Sequence, residues 1–156
     1  MHMRDTKRSA VLSLVGAGLL MLVGCGGTKY EAFTTLTGAN EPTPVTTNAN
    51  GASTATLDGD TLTVTGTFTA LSSDLADVAG TSAHVHRGAA GTAGPVLFNL
   101  TVTSTDKRNG SFNGTKDLTE EEQQDFKNGL LYVNVHTTAN MGGEIRGQFR
   151  PTEKND

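Results

Sequence analysis

The chain has 156 residues, with 12 Lys and Arg against 16 Asp and Glu and a formal net charge of −4. One domain fits that length; beyond residue 24 the balance is 9 basic against 15 acidic residues, which excludes a basic nucleic-acid footprint. A single cysteine excludes an intrachain disulfide and a Cys-based zinc cage, and the lack of Trp argues against an aromatic platform for bases or sugars.

Residues 1–8 are short and basic, and residues 9–23 are apolar apart from two serines. That run is too short for a comfortable membrane span of about 20 residues. A basic stretch followed by a short apolar one predicts a secretory signal peptide over 1–24. It ends in Leu22-Val23-Gly24-Cys25, which resembles a bacterial lipobox. The resemblance implies lipidation of Cys25 and an extracytoplasmic, membrane-anchored protein. Several acyl chains, at about 0.8 kcal/mol per buried CH₂, would hold it there firmly. Residues 25–30 then form the lipidated tether.

From residue 25 onward, Leu, Ile, Val and Phe make up 25 of 132 residues, close to the boundary of disorder. Patterning decides for order. The same span holds 24 threonines, which favour pleated strands over helices. Residues 61–69 alternate, with Leu62, Val64, Gly66 and Phe68 on one face and five threonines on the other. Turn signals at Asn50-Gly51, Asp58-Gly59, Asn109-Gly110, Asn113-Gly114 and Asn128-Gly129 punctuate the chain. They predict strands near 31–37, 52–57, 61–69, 82–87, 95–103, 111–115, 130–136 and 144–150, with a hairpin at Asp58-Gly59. One helix is expected near 118–128: Thr119 and Glu122 make a capping box, and Glu120–Glu122 suit the helix dipole. Residues 151–156 are expected to fray. The fold class is therefore all-β: an antiparallel sandwich, immunoglobulin-like or superoxide-dismutase-like, or a partly closed barrel of about eight strands.

Strand parity gives the three histidines of this region a direction. His84 and His86 lie opposite Val85. His136 shares a face with Tyr132 and Asn134, opposite Val133 and Val135. Glu144, Arg146 and Gln148 lie opposite Ile145 and Phe149. With the apolar set in the core, three strands place ligand-type side chains on one polar surface. Neutral imidazole suits copper and zinc, and His-x-His on a strand supplies two nitrogens from one face. His84, His86 and His136 are thus candidate metal ligands, with Asn134, Glu144 and Arg146 as groups that would orient the rings. The alternative from the same residues is a metal-free polar network. Weaker motifs reduce to structure: the acidic helix is a solvated face, and Asp58-Gly59-Asp60 is a turn rather than a calcium loop. No serine sits in a nucleophile elbow, and no glycine-rich loop opens a helix in the phosphate-binding manner.

Several blocks resemble the CHRD family, named for the repeated domain of chordin. They are Leu36-Thr-Gly-Ala-Asn-Glu41, Ala83-His-Val-His-Arg-Gly88, Gly94-Pro-Val96, Asn128 through Thr137 and Asn140 through Gln148. The resemblance spans about 33–150, within a domain expected over 31–150, and departs at Glu41-Pro-Thr-Pro-Val45, where the family usually reads Glu-Val-Pro-Pro-Val. It implies an all-β domain, secreted or lipid-anchored in bacterial members, and no settled activity. The His-Val-His segment is also similar to a copper-ligand strand of copper–zinc superoxide dismutases, whose disulfide and zinc loop this chain lacks. The expected function is a lipid-anchored, non-enzymatic binding module, with a copper or zinc ion at the three histidines. The alternatives are a metal-free structural protein that meets another envelope protein, and a dismutase-like copper redox protein.

Overall fold

The computed structural model describes residues 28–154. Cys25 and the apolar stretch before it lie outside the described residues. Ten strands form one antiparallel sheet: β1 (Lys29–Thr37), β2 (Asn50–Asp58), β3 (Thr61–Thr69), β4 (Ala83–Arg87), β5 (Val96–Asn99), β6 (Thr101–Ser104), β7 (Gly110–Asp117), β8 (Leu131–Val135), β9 (Ile145–Gln148) and β10 (Thr152–Lys154). The strand order is β5-β4-β8-β9-β1-β2-β3-β7-β6, with β10 also on β1. The first and last strands of that order are separated in the chain by Leu100 alone. The sheet therefore curls into a nearly closed barrel, the second of the two expected forms.

Local chemistry explains most of the boundaries. Asp58 pairs with Thr61 across a two-residue hairpin, and Gly59 takes the left-handed conformation (φ 61°) such a turn needs. The helix α1 (Glu120–Lys127) starts at Thr119, whose hydroxyl accepts from the Glu122 backbone while the Glu122 carboxylate accepts from the Thr119 N–H. Gly129, at φ 73°, lets the chain leave the helix.

Two expectations are corrected. The segment 95–103 is two strands: β5 pairs with β4, and β6 pairs with β7 at the far end of the order. Buried Leu100 makes the corner and donates its N–H to the Ala83 carbonyl. The terminal segment, expected to fray, holds β10, which pairs with Lys29–Glu31 and sets Lys154 3.2 Å from Glu31. A short 3₁₀ turn at Gly38–Asn40 is a further element.

Inside the barrel, Leu36, Leu57, Leu62, Val64, Phe68, Val85, Phe112, Phe126, Val133, Val135, Ile145 and Phe149 form one apolar cluster. Each such side chain contributes about 1.5–3 kcal/mol of burial free energy. Phe126 docks the helix onto Phe149, ring centroids 6.2 Å apart. The apolar sets of β4, β8 and β9 point into this core, so their polar sets point the other way.

Candidate metal centre

The register of β4, β8 and β9 lines up the outward polar residues in rows. His84 stands opposite Asn134, and Asn134 opposite Arg146. His86 stands opposite Tyr132, and Tyr132 opposite Gln148. His136 follows β8 directly, fixed by its N–H bond to the Ser82 carbonyl. Around His86 the β4–β5 register shifts, with Leu97 as the extra residue; such bulges re-aim side chains next to sites.

This face is not a surface. His84, His86, Asn134, His136, Glu144 and Arg146 are all buried, Arg146 being the largest fully buried side chain among the described residues. Loops from 38–47, 88–94 and 137–144 contribute the contacts that cover it. The expectation of an exposed polar face is corrected: the residues converge as parity predicts, beneath a lid of loops.

The three rings do come together. One ligand atom from each of His84, His86 and His136 lies within 4.8 Å of the others, and His84 Nδ1 is 3.0 Å from His136 Nε2. Nitrogens about 2 Å from a shared ion stand about 3–3.5 Å apart, so the His84–His136 pair already has that spacing and the three-ring set is compatible with one ion. The tautomers follow from the partners. His86 Nδ1 is 2.9 Å from the Gly94 carbonyl, and His136 Nδ1 is 2.9 Å from the Met141 carbonyl. A carbonyl only accepts, so each Nδ1 carries the proton and each Nε2 keeps its lone pair. In the His84–His136 pair, His84 Nδ1 is then the donor. Moving that proton to His84 Nε2 frees Nδ1 as a third lone pair.

Electrostatics favours the neutral, ligating form of all three. Burial is the largest effect on each ring. It pushes His136 down to about 4, reinforced by the charges that His84 and His86 would carry. It holds His84 and His86 below the usual histidine range as well.

The residues expected to orient the rings divide. Arg146 acts through its neighbours: its guanidinium lies 3.4 Å over the Tyr132 ring, which stacks on His86 at 4.8 Å and 5°. It donates to the Ala89 and Thr92 carbonyls and to Gln148 Oε1, pinning the loop whose Gly94 carbonyl holds His86. Tyr132 secures the same loop by accepting from the Gly94 N–H. Asn134 lies beside His86 and donates to the Gly142 carbonyl. Glu144 makes no hydrogen bond to an imidazole. It accepts from Thr47, Thr137 and the Ser72 N–H, tying three loops together. Burial pushes its carboxyl up, and those bonds outweigh it, holding it below the usual range.

The site-like residue that sequence reasoning did not single out is Glu41. It is 5% exposed and sits against Asn134, and burial raises its carboxyl to about 7 against the pull of Arg146 and Asn134. Its signal was available: it is the sole charged residue between 32 and 57. A groove of about 720 Å³ is lined by Glu41–Thr46, Ala93 and Ala139–Gly143.

Compared with known proteins, residues 32–149 match a family model described as the CHRD domain. No curated protein and no solved structure matches the chain.

Proposed function

The chain belongs to the CHRD domain family, and from that premise we propose that it is a membrane-anchored binding module that holds a copper or zinc ion through His84, His86 and His136. The observation that carries this reading is the convergence of three neutral imidazoles whose ligand atoms lie within 4.8 Å of one another. Buried polar atoms are normally paired, yet His86 Nε2, the lone pair that ring would offer an ion, has no hydrogen-bond partner. A soft-to-borderline ion with a preference for imidazole suits such a set. The carbonyls of Gly94 and Met141 would orient two of the rings, and Arg146 would hold the loop that supplies one of them.

Anchoring belongs to the same proposal. Lipidation at Cys25 would place the domain on the outer side of a membrane, with residues 25–30 as its leash. The role is binding rather than catalysis.

Elemental analysis of the full chain, purified without a histidine tag, tests the metal reading. About one equivalent of copper or zinc per chain is expected, and a His136→Ala chain should hold less than a tenth of that. Metal-free protein after incubation with either ion, folded by circular dichroism, would overturn the site. Cys25→Ser should leave an unlipidated precursor; unchanged membrane fractionation would overturn the anchor.

A further inference from the structure

Five buried side-chain N and O atoms among the described residues make no hydrogen bond: Glu41 Oε1, His84 Nε2, His86 Nε2, Asp125 Oδ2 and Asn134 Oδ1. Asp125 Oδ2 is ion-paired with Arg87 Nε at 2.7 Å. The other four belong to one cluster. The two histidine atoms belong with the proposed ion site, His86 Nε2 as a ligand lone pair and His84 Nε2 as the atom that receives the displaced proton. Two oxygen acceptors are left over, on Glu41 and Asn134, and both side chains are more than nine-tenths buried.

Their orientation is fixed. Asn134 Nδ2 donates to the Gly142 carbonyl, so Oδ1 is the free end of the amide beside His86. Gly143 sits at φ 125°, and a Cβ there would collide with both Glu41 Oε1 and Asn134 Nδ2. A missing side chain thus lets the Glu41 carboxyl and the nitrogen end of the Asn134 amide come close together, with Oδ1 at the amide's other end. Glu41 does not belong to the set of mutually close ligand atoms, which contains the three histidines alone. It is therefore not placed as a direct ligand.

We propose that the fourth position on the ion holds a water molecule, which donates one hydrogen to Glu41 Oε1 and the other to Asn134 Oδ1. This rests on the three-histidine reading above. The valence matches: a metal-bound water has two hydrogens to give, and the site has two buried acceptors without donors. Three neutral imidazoles leave a divalent charge uncompensated, and a nearby carboxylate offsets part of it, opposed by Arg146. The groove is lined by Glu41, Gly142 and Gly143; on this proposal it is the position's route to solvent, so its occupant exchanges and small anions compete for it. The inference adds an exchangeable coordination position, gated by Glu41, to what would otherwise be a closed structural ion site.

Cobalt(II) is the probe, because its visible spectrum reports coordination. The crystal structure of the cobalt-loaded chain should show a solvent oxygen about 2.0–2.2 Å from the ion, within hydrogen-bond distance of Glu41 and Asn134. Azide titration at pH 8, read on bound cobalt, should give a dissociation constant about fivefold lower for Glu41→Gln, since a negative charge beside the incoming anion is gone. A protein atom in the fourth position, a water touching neither acceptor, or an azide affinity that is unchanged or weaker in Glu41→Gln overturns the inference and leaves the three-histidine site standing. Failure of the wild-type chain to take up cobalt, copper or zinc overturns both.

Discussion

Strands β3 and β8 carry the same alternation of polarity and differ in what lies over their polar faces. Along β3 burial alternates strictly, with Leu62, Val64 and Phe68 inside and Thr63, Thr65, Thr67 and Thr69 in water. Along β8 all five residues are buried, although Leu131, Tyr132, Val133, Asn134 and Val135 alternate in polarity just as β3 does. One half of the barrel has a dry side and a wet side. The other half, β4, β8 and β9, has a dry side and a covered polar side. Burying polar groups costs free energy unless they find partners. The wet face of β3 incurs no such cost, whereas the covered face meets it with loop carbonyls, an aromatic stack and, on our proposal, an ion.

The comparison breaks first at Arg146. Truncation to Ala would remove the donor for the Ala89 and Thr92 carbonyls and for Gln148 Oε1. The expected loss is about 2–4 kcal/mol in urea unfolding of the metal-free chain. Loosening the loop that holds His86 should also weaken metal binding at least about tenfold. If stability and binding both survive, the loop cover is decoration and the two halves differ only in name.

Glu41 sharpens the same contrast through pH. Its carboxyl is raised from 4.5 to about 7 in the folded chain, so the folded state binds this proton more tightly than the unfolded one. The resulting stability is fully present below pH 4.5 and is lost as pH rises through 7. Between pH 5 and 8 the unfolding free energy of the metal-free wild type should fall by about 2 kcal/mol relative to Glu41→Gln. His136, lowered to about 4, works in the opposite sense, its contribution present above 6.5 and lost toward 4, and it cancels because both chains share it. Parallel stability profiles for the two chains would mean that Glu41 is not buried as described.

The smallest effect belongs to the wet half. Thr65 is exposed on β3, and Thr65→Ala should shift stability by no more than about 0.5 kcal/mol, with no change in metal content. A loss as large as that at Arg146 would erase the distinction between the faces.

Much of this was legible in the sequence because a strand has a period of two. Parity alone directed His84, His86, His136, Asn134 and Arg146 away from Val85, Val133, Val135 and Ile145, and the capping pair Thr119–Glu122 marked the helix. Parity does not report what lies above a face. The polar rows read as surface because their cover comes from loops with no periodicity of their own, among them Gly88–Gly94 and Asn140–Gly143. Glu41 is hidden for the same reason: it lies in a proline-rich turn, and its depth depends on contacts from 134 and 143. The break at Leu100 is hidden because Val96–Thr103 has no Gly or Pro and Asn99 alone does not mark a turn; the corner is imposed by barrel closure. β10 carries only Thr, Glu and Lys, which give no apolar alternation, and it is held by backbone pairing and an ion pair.

Leu100 sets the circumference of the ring of strands. With a single residue between β5 and β6 there is no slack at the clasp, so the hoop cannot widen or admit another strand without breaking register on both sides at once. Asn99, its neighbour, is the residue that pairs with His84. The position of His84 is thereby indexed to the girth of the whole barrel, and whatever rigidity the proposed ion site has is inherited in part from a hydrophobic corner.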